Sequence, residues 1–259
     1  MIFDHRRMAL APLLGMLLAT TPSFADHRAK PSRPTSSEGA YALDAGSLQA
    51  ELGYLLVGSD TGVLTHSVPL LLRLGAASFV DVRLGVPLFQ HSTGSSGFGD
   101  LTLGARFVTN DEGTYLPAFG LLAQLTAPTA TGSFAEEHVG LETALQISKR
   151  FFEFIELDLT GGLRADFDAG RGGGHTLALP AALALHFDIY GVIDLFGEFS
   201  TLTWLQGGPE TFTAAGLVGF GWRVVPEVVI DLAAEIGATR MANDVTATIG
   251  VTWSFGGLF

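Results

Sequence analysis

The sequence contains no cysteine, which excludes disulfide scaffolds, thiolate metal sites, thiol catalysis and cysteine-ligated clusters. Charge is scarce, at 15% of residues, against roughly a quarter in an average soluble domain. Most of it is acidic: 14 Lys and Arg stand against 26 Asp and Glu, a formal net charge of −12. Nucleic-acid binding needs clustered positive charge, so no nucleic-acid partner is expected. Beyond the N-terminus no apolar run reaches the roughly 18 residues of a membrane helix, because Gly, Asp, Glu or Thr interrupts every stretch. What is present is 47% hydrophobic residues and 33 glycines in 259, with a mean hydropathy of +0.38. That composition is too apolar for disorder and too rich in glycine for a helical bundle.

Residues 1–25 have the build of a secretory signal peptide. Arg6 and Arg7 form the positive region, residues 8–19 the apolar region, and Ser23-Phe24-Ala25 a small-residue cleavage site. The apolar run is too short to span a bilayer comfortably. Residues 26–43 are rich in Pro, Ser, Arg and Lys and are expected to form a flexible periplasmic arm with no core of its own. An exported, hydropathic chain without a membrane helix leaves the closed β-barrel as the structure able to cross a bilayer. The expected barrel occupies residues 44–259.

Period-two alternation then runs to the end of the chain. Twelve strands are expected, at about 46–57, 63–73, 79–88, 99–108, 116–127, 139–149, 153–167, 175–187, 190–203, 211–223, 227–238 and 244–255. In 153–168 one phase reads Ile155, Leu157, Leu159, Gly161, Leu163, Ala165, Phe167 and the other Glu156, Asp158, Thr160, Gly162, Arg164, Asp166. Successive side chains face opposite sides of a strand, so one face is apolar and the other charged. A twelve-stranded bore is too wide to be filled as an apolar core, so the apolar phase belongs to lipid. Aromatics at strand ends on that phase (Phe212, Phe220, Trp222, Trp253, Phe255, Phe259) fit an interfacial girdle. An even strand number places both termini in the periplasm and makes 58–62, 89–98, 128–138, 168–174, 204–210 and 239–243 the extracellular loops. The turn at 109–115 is long for the periplasmic side.

Gly97-Phe98-Gly99-Asp100-Leu101-Thr102-Leu103-Gly104-Ala105-Arg106-Phe107, then Leu116-Pro117-Ala118-Phe119 and Leu125-Thr126-Ala127-Pro128-Thr129, resembles the outer-membrane family linked to meta-pathway phenol degradation. The closing stretch, from Asp231 through Ala242-Asn243-Asp244 to Gly250-Val251-Thr252-Trp253-Ser254-Phe255, resembles that family's last hairpin. The likeness spans about 44–255. It departs at 157–163, where an Asn-containing segment is expected, and in the extra Gly256-Gly257-Leu258-Phe259. The resemblance implies passage of small molecules, with hydrophobic or aromatic solutes foremost, across the outer membrane.

With the polar phase inward, the bore carries Glu51, Asp81, Glu142, Glu156, Asp158, Asp166, Asp194, Glu198, Asp231 and Glu235 against Arg83, Arg106 and Arg164. Two readings stay open: a negative field that selects solutes, or a paired network that braces or plugs the barrel. The turn near 171 sets Glu156 opposite His186, a pair able to respond to pH. His66, His91, His138 and His175 fall toward the extracellular side without short ligand spacing, so no metal site is expected. No cofactor is expected either. A lipid hydrolase needs a Ser–His pair, but His66 and Ser67 point to opposite faces and no Gly-x-Ser-x-Gly elbow occurs, so the chain reads as a non-enzyme. The expected partners are outer-membrane lipids, a small-molecule solute and the barrel-assembly machinery, for which Trp253, Phe255 and Phe259 form the recognition ending. The function classes carried forward are a passive channel, a non-conducting structural barrel and, last, a lipid-modifying enzyme.

Overall fold

The computed structural model describes residues 28–59, 61–135, 138–168, 175–205 and 211–258. The expected signal peptide and Phe259 lie outside these. Thirteen strands follow in order: β1 Leu48–Gly58, β2 Leu64–Ala77, β3 Val80–Ser92, β4 Ser95–Gly97, β5 Leu101–Asn110, β6 Ala118–Ala127, β7 His138–Phe151, β8 Ile155–Asp168, β9 His175–Ile189, β10 Ile193–Trp204, β11 Phe212–Val225, β12 Val228–Gly237 and β13 Val245–Phe255. All but β4 overlap an expected strand. β4 pairs only with the end of β3, through His91 opposite Ser96, and extends the loop hairpin. The other twelve pair antiparallel with their neighbours, and β1 closes on β13 with Leu48 opposite Phe255 and Gly58 opposite Val245. Closure removes the open edge that a bilayer would not tolerate.

The alternation sorts the residues as lipid contact requires. In β8, Leu159, Leu163 and Phe167 are exposed on the outside, while Asp158 and Thr160 are buried toward the bore. Val218 and Ile236 are each 67% exposed on the outer face of β11 and β12. Such residues would be a heavy liability in water and are natural in hydrocarbon. Phe212, Phe220, Trp222 and Trp253 are exposed at the strand ends, and Trp253 stacks on Phe255 with ring centroids 4.5 Å apart. Ile249 sits near the middle of β13 and is 50% exposed. Replacing it with Arg should cost about 2–4 kcal/mol, the usual penalty for a cation at the bilayer midplane. Equilibrium urea unfolding in lipid vesicles would measure this, and an unchanged midpoint would contradict the outward assignment.

The N-terminal segment departs from expectation. Residues 28–47 form no free arm. They enter the bore at its periplasmic mouth, where Ala29 N–H bonds the Pro226 carbonyl at 2.9 Å and Arg28 reaches the Gly191 carbonyl. They return to the same mouth at Gly46, whose N–H bonds the Gly75 carbonyl at 2.8 Å. Ala29, Ser37, Ala40 and Leu43 are buried. The physical reason is outside the segment itself. Inward-facing acids and arginines of the wall offer partners, and the Ser, Glu and Arg side chains and backbone amides of 28–47 pair with them.

Candidate functional site

The docked segment fills the periplasmic half of the bore and meets two different walls. The wall of β1, β2, β3 and β5 is charged. Arg73 of β2 is fully buried and holds Asp81 of β3 at 2.8 Å and Glu51 of β1 at 3.7 Å. It also donates to Ser32 Oγ and the Lys30 carbonyl at 2.9 Å each. Glu51 accepts the Ser32 N–H at 3.0 Å, and Gln49 exchanges two bonds of 2.8 Å with the backbone of Lys30. Glu38 then bridges Arg83, at 2.8 Å, to Arg106, which also donates to the Gly39 and Tyr41 carbonyls at 3.0 Å.

Across the bore, Arg33 pairs with Asp231 at 3.2 Å and with Thr248. Its guanidinium lies over Gly53 and Gly250, which face each other across β1 and β13. A Cβ on either would fall within 2.4 Å of the guanidinium, so the two glycines form the bay that admits it. Glu198 accepts the Ser36 and Ser37 N–H groups at 3.0 and 2.6 Å, and Ser148 accepts that of Ala40 at 2.7 Å. Ser148 in turn donates to Asp158.

The long periplasmic turn at 111–117 now has a purpose. Glu112 accepts from Lys149 Nζ at 2.9 Å, from the Arg150 N–H at 2.7 Å and from the Tyr41 hydroxyl at 3.3 Å. Burial alone would raise the Glu112 carboxyl. The bonds and charge of Lys149 and the Arg150 amide outweigh it and hold the carboxyl below the usual glutamate range. The Tyr41 hydroxyl is pushed up by burial and by the nearby carboxylates Glu156 and Glu112, so it stays protonated as the donor.

Of the residues singled out in the sequence, Glu51, Arg83, Arg106, Glu198 and Asp231 contact the docked segment directly, and Asp81 and Asp158 hold its partners. Glu156 does lie opposite His186 in register, but the two are not partnered. Glu156 pairs with Arg150, while His186 bonds Asp194 at 2.8 Å and stands 3.6 Å from Asp158. The strands place the facing pair as expected, and the longer reach of Arg150 from the adjacent position on β7 claims the carboxylate. Arg164 pairs with Asp166 at 3.0 Å in the extracellular half. Glu142 and Glu235 have no ion-pair partner among the described residues. The count of three inward arginines is corrected by Arg73. Its phase also carries Pro69 and Leu71, which hid it in an apolar run. Glu38 and Arg33 were missed because the segment was read as unanchored.

The opposite wall mixes apolar positions with the inward acids Glu198 and Asp231. Inward positions on β9 to β12 include Ala178, Pro180, Ala182, Ala184, Phe196, Leu202, Ala215, Leu217 and Ala233, and Phe196, Leu217 and Ala233 pack together. Leu202 and Phe196 stand about 20 Å apart along β10, at roughly 3.4 Å per residue, with Ser200 and Glu198 between them on the same inward face. At its periplasmic end, between the docked segment and the wall, lies a cavity of about 440 Å³ that Phe196, Val229, Tyr41, His186 and Arg33 help to line. A second space of about 310 Å³ sits beside Pro69, Leu71, Pro87 and Arg83.

Among the described residues one Ser–His hydrogen bond occurs, His91 Nδ1 to Ser96 Oγ at 2.8 Å. Among the described residues no carboxylate or amide side chain orients the other ring nitrogen, so it is not a hydrolytic triad.

The molecule is a closed barrel with an apolar belt and an N-terminal stopper. The profile of the family described as "Putative MetA-pathway of phenol degradation" matches residues 31–255, stopper included. The chain belongs to this family. Among solved structures it is similar to an outer membrane channel from Pseudomonas putida F1, at 15% identity and a TM-score of 0.65, over 87% of this chain and 100% of that one. The NanC porin matches at 10% identity and a TM-score of 0.55 (80% and 98% covered), and the KdgM porin at 14% and 0.52 (79% and 99%). At these identities the likeness is one of fold. No curated protein matches the sequence. The chain is an outer-membrane β-barrel.

Proposed function

We propose that the protein is a passive outer-membrane channel for small apolar solutes, with aromatic compounds foremost. The observation that carries this reading is the cluster of Phe196, Leu217 and Ala233 inside an otherwise charged bore. A hydrophilic pore has no use for Phe196, Leu217 and Ala233 at its wall, whereas an apolar solute gains contact with them. The family description, which refers to phenol degradation, supports the aromatic class. Passive movement fits a chain with no nucleotide-binding motif. Catalysis is not part of this function.

The competing reading, a non-conducting barrel braced by its own charges, draws support from the ion pairs that seat residues 28–47. Uptake of a radiolabelled alkylbenzene by porin-deficient cells separates the two. Cells making the barrel should take it up several-fold faster than cells without it, with no gain for a sugar of equal mass. Leu217→Asp should abolish most of the gain while the barrel still migrates as a folded species in unheated gels. Equal uptake with and without the wild-type barrel would overturn the channel reading. The outward ending with Trp253 and Phe255, continued by Phe259, we assign to recognition by the barrel-assembly machinery, and outer-membrane lipids are the partners of the belt.

A further inference from the structure

The extracellular rim of β1 to β4 carries an arrangement unrelated to the bore. His66 on β2 and His91 on β3 are register partners, 25 residues apart in sequence and adjacent in the sheet. Their shared face is the outer one. His66 lies opposite Leu56 on the lipid-facing phase of β1. His91 reaches that side only because the register shifts between Val68 and Pro69 of β2, opposite Phe89 and Pro87 of β3. Up to Pro87 the odd positions of β3 face inward, as buried Asp81 and Arg83 show. Beyond the shift His91, an odd position, faces outward. Bulges re-aim side chains in this way.

The two rings stand with centroids 6.1 Å apart and planes at 44°. Each is held by its Nδ1 from the far side. His66 Nδ1 is 2.5 Å from the Tyr54 hydroxyl on β1, and His91 Nδ1 is 2.8 Å from Ser96 Oγ on β4. Strand order is β1, β2, β3, β4, so both Nδ1 edges turn away from the pair and both Nε2-bearing edges turn toward it. Phe89 stacks on His91 at 6.4 Å with planes 2° apart and limits its rotation. The partners are hydroxyls, which accept as readily as they donate. Each ring can therefore carry its proton on Nδ1 and leave the Nε2 lone pair free, the tautomer a metal-bound imidazole adopts.

We propose that His66 and His91 chelate a divalent transition-metal ion, Cu²⁺ ahead of Ni²⁺ or Zn²⁺, at the extracellular rim. A metal about 2.1 Å from an imidazole nitrogen lies about 3.2 Å from the ring centroid, so two rings sharing an ion stand about 5–6 Å apart. The observed spacing needs only a small side-chain rotation to meet that. No cluster of three or more His, Asp and Glu able to hold a metal occurs among the described residues, so water completes the coordination. Neutral imidazoles without a carboxylate favour copper, nickel and zinc over magnesium or calcium, and the general affinity order places copper first. A bound ion ties the bulged end of β3, and through Ser96 the β4 hairpin, to β2. Ligand spacing along the chain, the ground for expecting no metal site, carries no information about ligands paired across strands.

The test is titration of tag-free, full-length folded barrel in detergent with CuSO₄, in a His27→Ala background that removes the histidine nearest the expected processed N-terminus. One ion per barrel should bind, with an electron paramagnetic resonance spectrum showing coupling to two nitrogens. His66→Gln and His91→Gln should each weaken binding at least about tenfold, the scale of effects even of outer-shell changes, and reduce the coupling to one nitrogen. Tyr54→Phe should weaken it while keeping both nitrogens. His138→Ala and His175→Ala should change nothing. His66, His91, Tyr54, His138 and His175 are exposed or half-exposed, and compact migration in unheated gels confirms that the variants fold. Absence of stoichiometric binding to the wild-type barrel, or unchanged binding in the His66→Gln/His91→Gln double variant, would overturn the proposal.

Discussion

Deleting residues 28–43 should raise the single-channel conductance of the reconstituted barrel about fivefold or more, because a twelve-stranded bore lies between the filled eight-stranded and the open sixteen-stranded cases. The stopper occupies the periplasmic half and carries Glu38, the shared partner of Arg83 and Arg106. Its removal also exposes Arg73, Asp81 and Glu51 to water, so the freed bore gains a charged wall facing a mixed one. A milder variant isolates the seat. Gly53→Leu fills the bay of the Arg33 guanidinium and should unseat that side chain from Asp231. Its conductance should rise and flicker, short of the deletion. Planar-bilayer recordings read both. If the deletion conducts no better than the wild type, residues 28–47 are not what closes the bore.

Arg73→Met should destabilise the barrel by about 3–5 kcal/mol, the cost of stranding a buried charge. The side chains of Arg73, Asp81 and Glu51 are each at most 1% exposed. Asp81 has Arg73 as its only ion-pair partner among the described residues, whereas Glu51 keeps the Ser32 amide and Gln49. Adding Asp81→Leu to Arg73→Met should therefore restore much of the loss, because replacing a buried pair with apolar groups is often close to neutral. Urea midpoints for the two single variants and the double variant close the cycle. Simple additivity would show that the pair is not coupled.

What could be read in the sequence follows from the range of the forces involved. Strand phase is local: Leu159 beside Asp158 already states which residue meets lipid, and twelve strands follow with ends right to within a few residues. Closure and the family resemblance come with them. The stopper is illegible because nothing within 28–47 buries it; its anchors sit up to 216 residues away, as Arg33 to the Ile249 carbonyl shows. Its Pro, Ser and Arg content describes a segment without a core of its own, which is true, and says nothing about the core it borrows. Arg73 was hidden by Pro69 and Leu71 on the same inward phase. The facing of Glu156 and His186 was legible from a turn centre, but the choice of Arg150 and Asp194 as their partners depends on side-chain reach. The register shift beyond Pro87, which turns His91 outward, leaves no mark in the residue pattern.

Because both ends of the 28–47 segment lie at the same opening, that segment is not threaded through the cylinder. It can be withdrawn like a cork on a string while every strand-to-strand hydrogen bond stays in place, tethered at Leu48 and ready to reseat. A pull on Arg28 would peel its contacts one after another, starting with Ala29 and the Pro226 carbonyl, so that opening needs a modest force over a long path and no rupture of the wall.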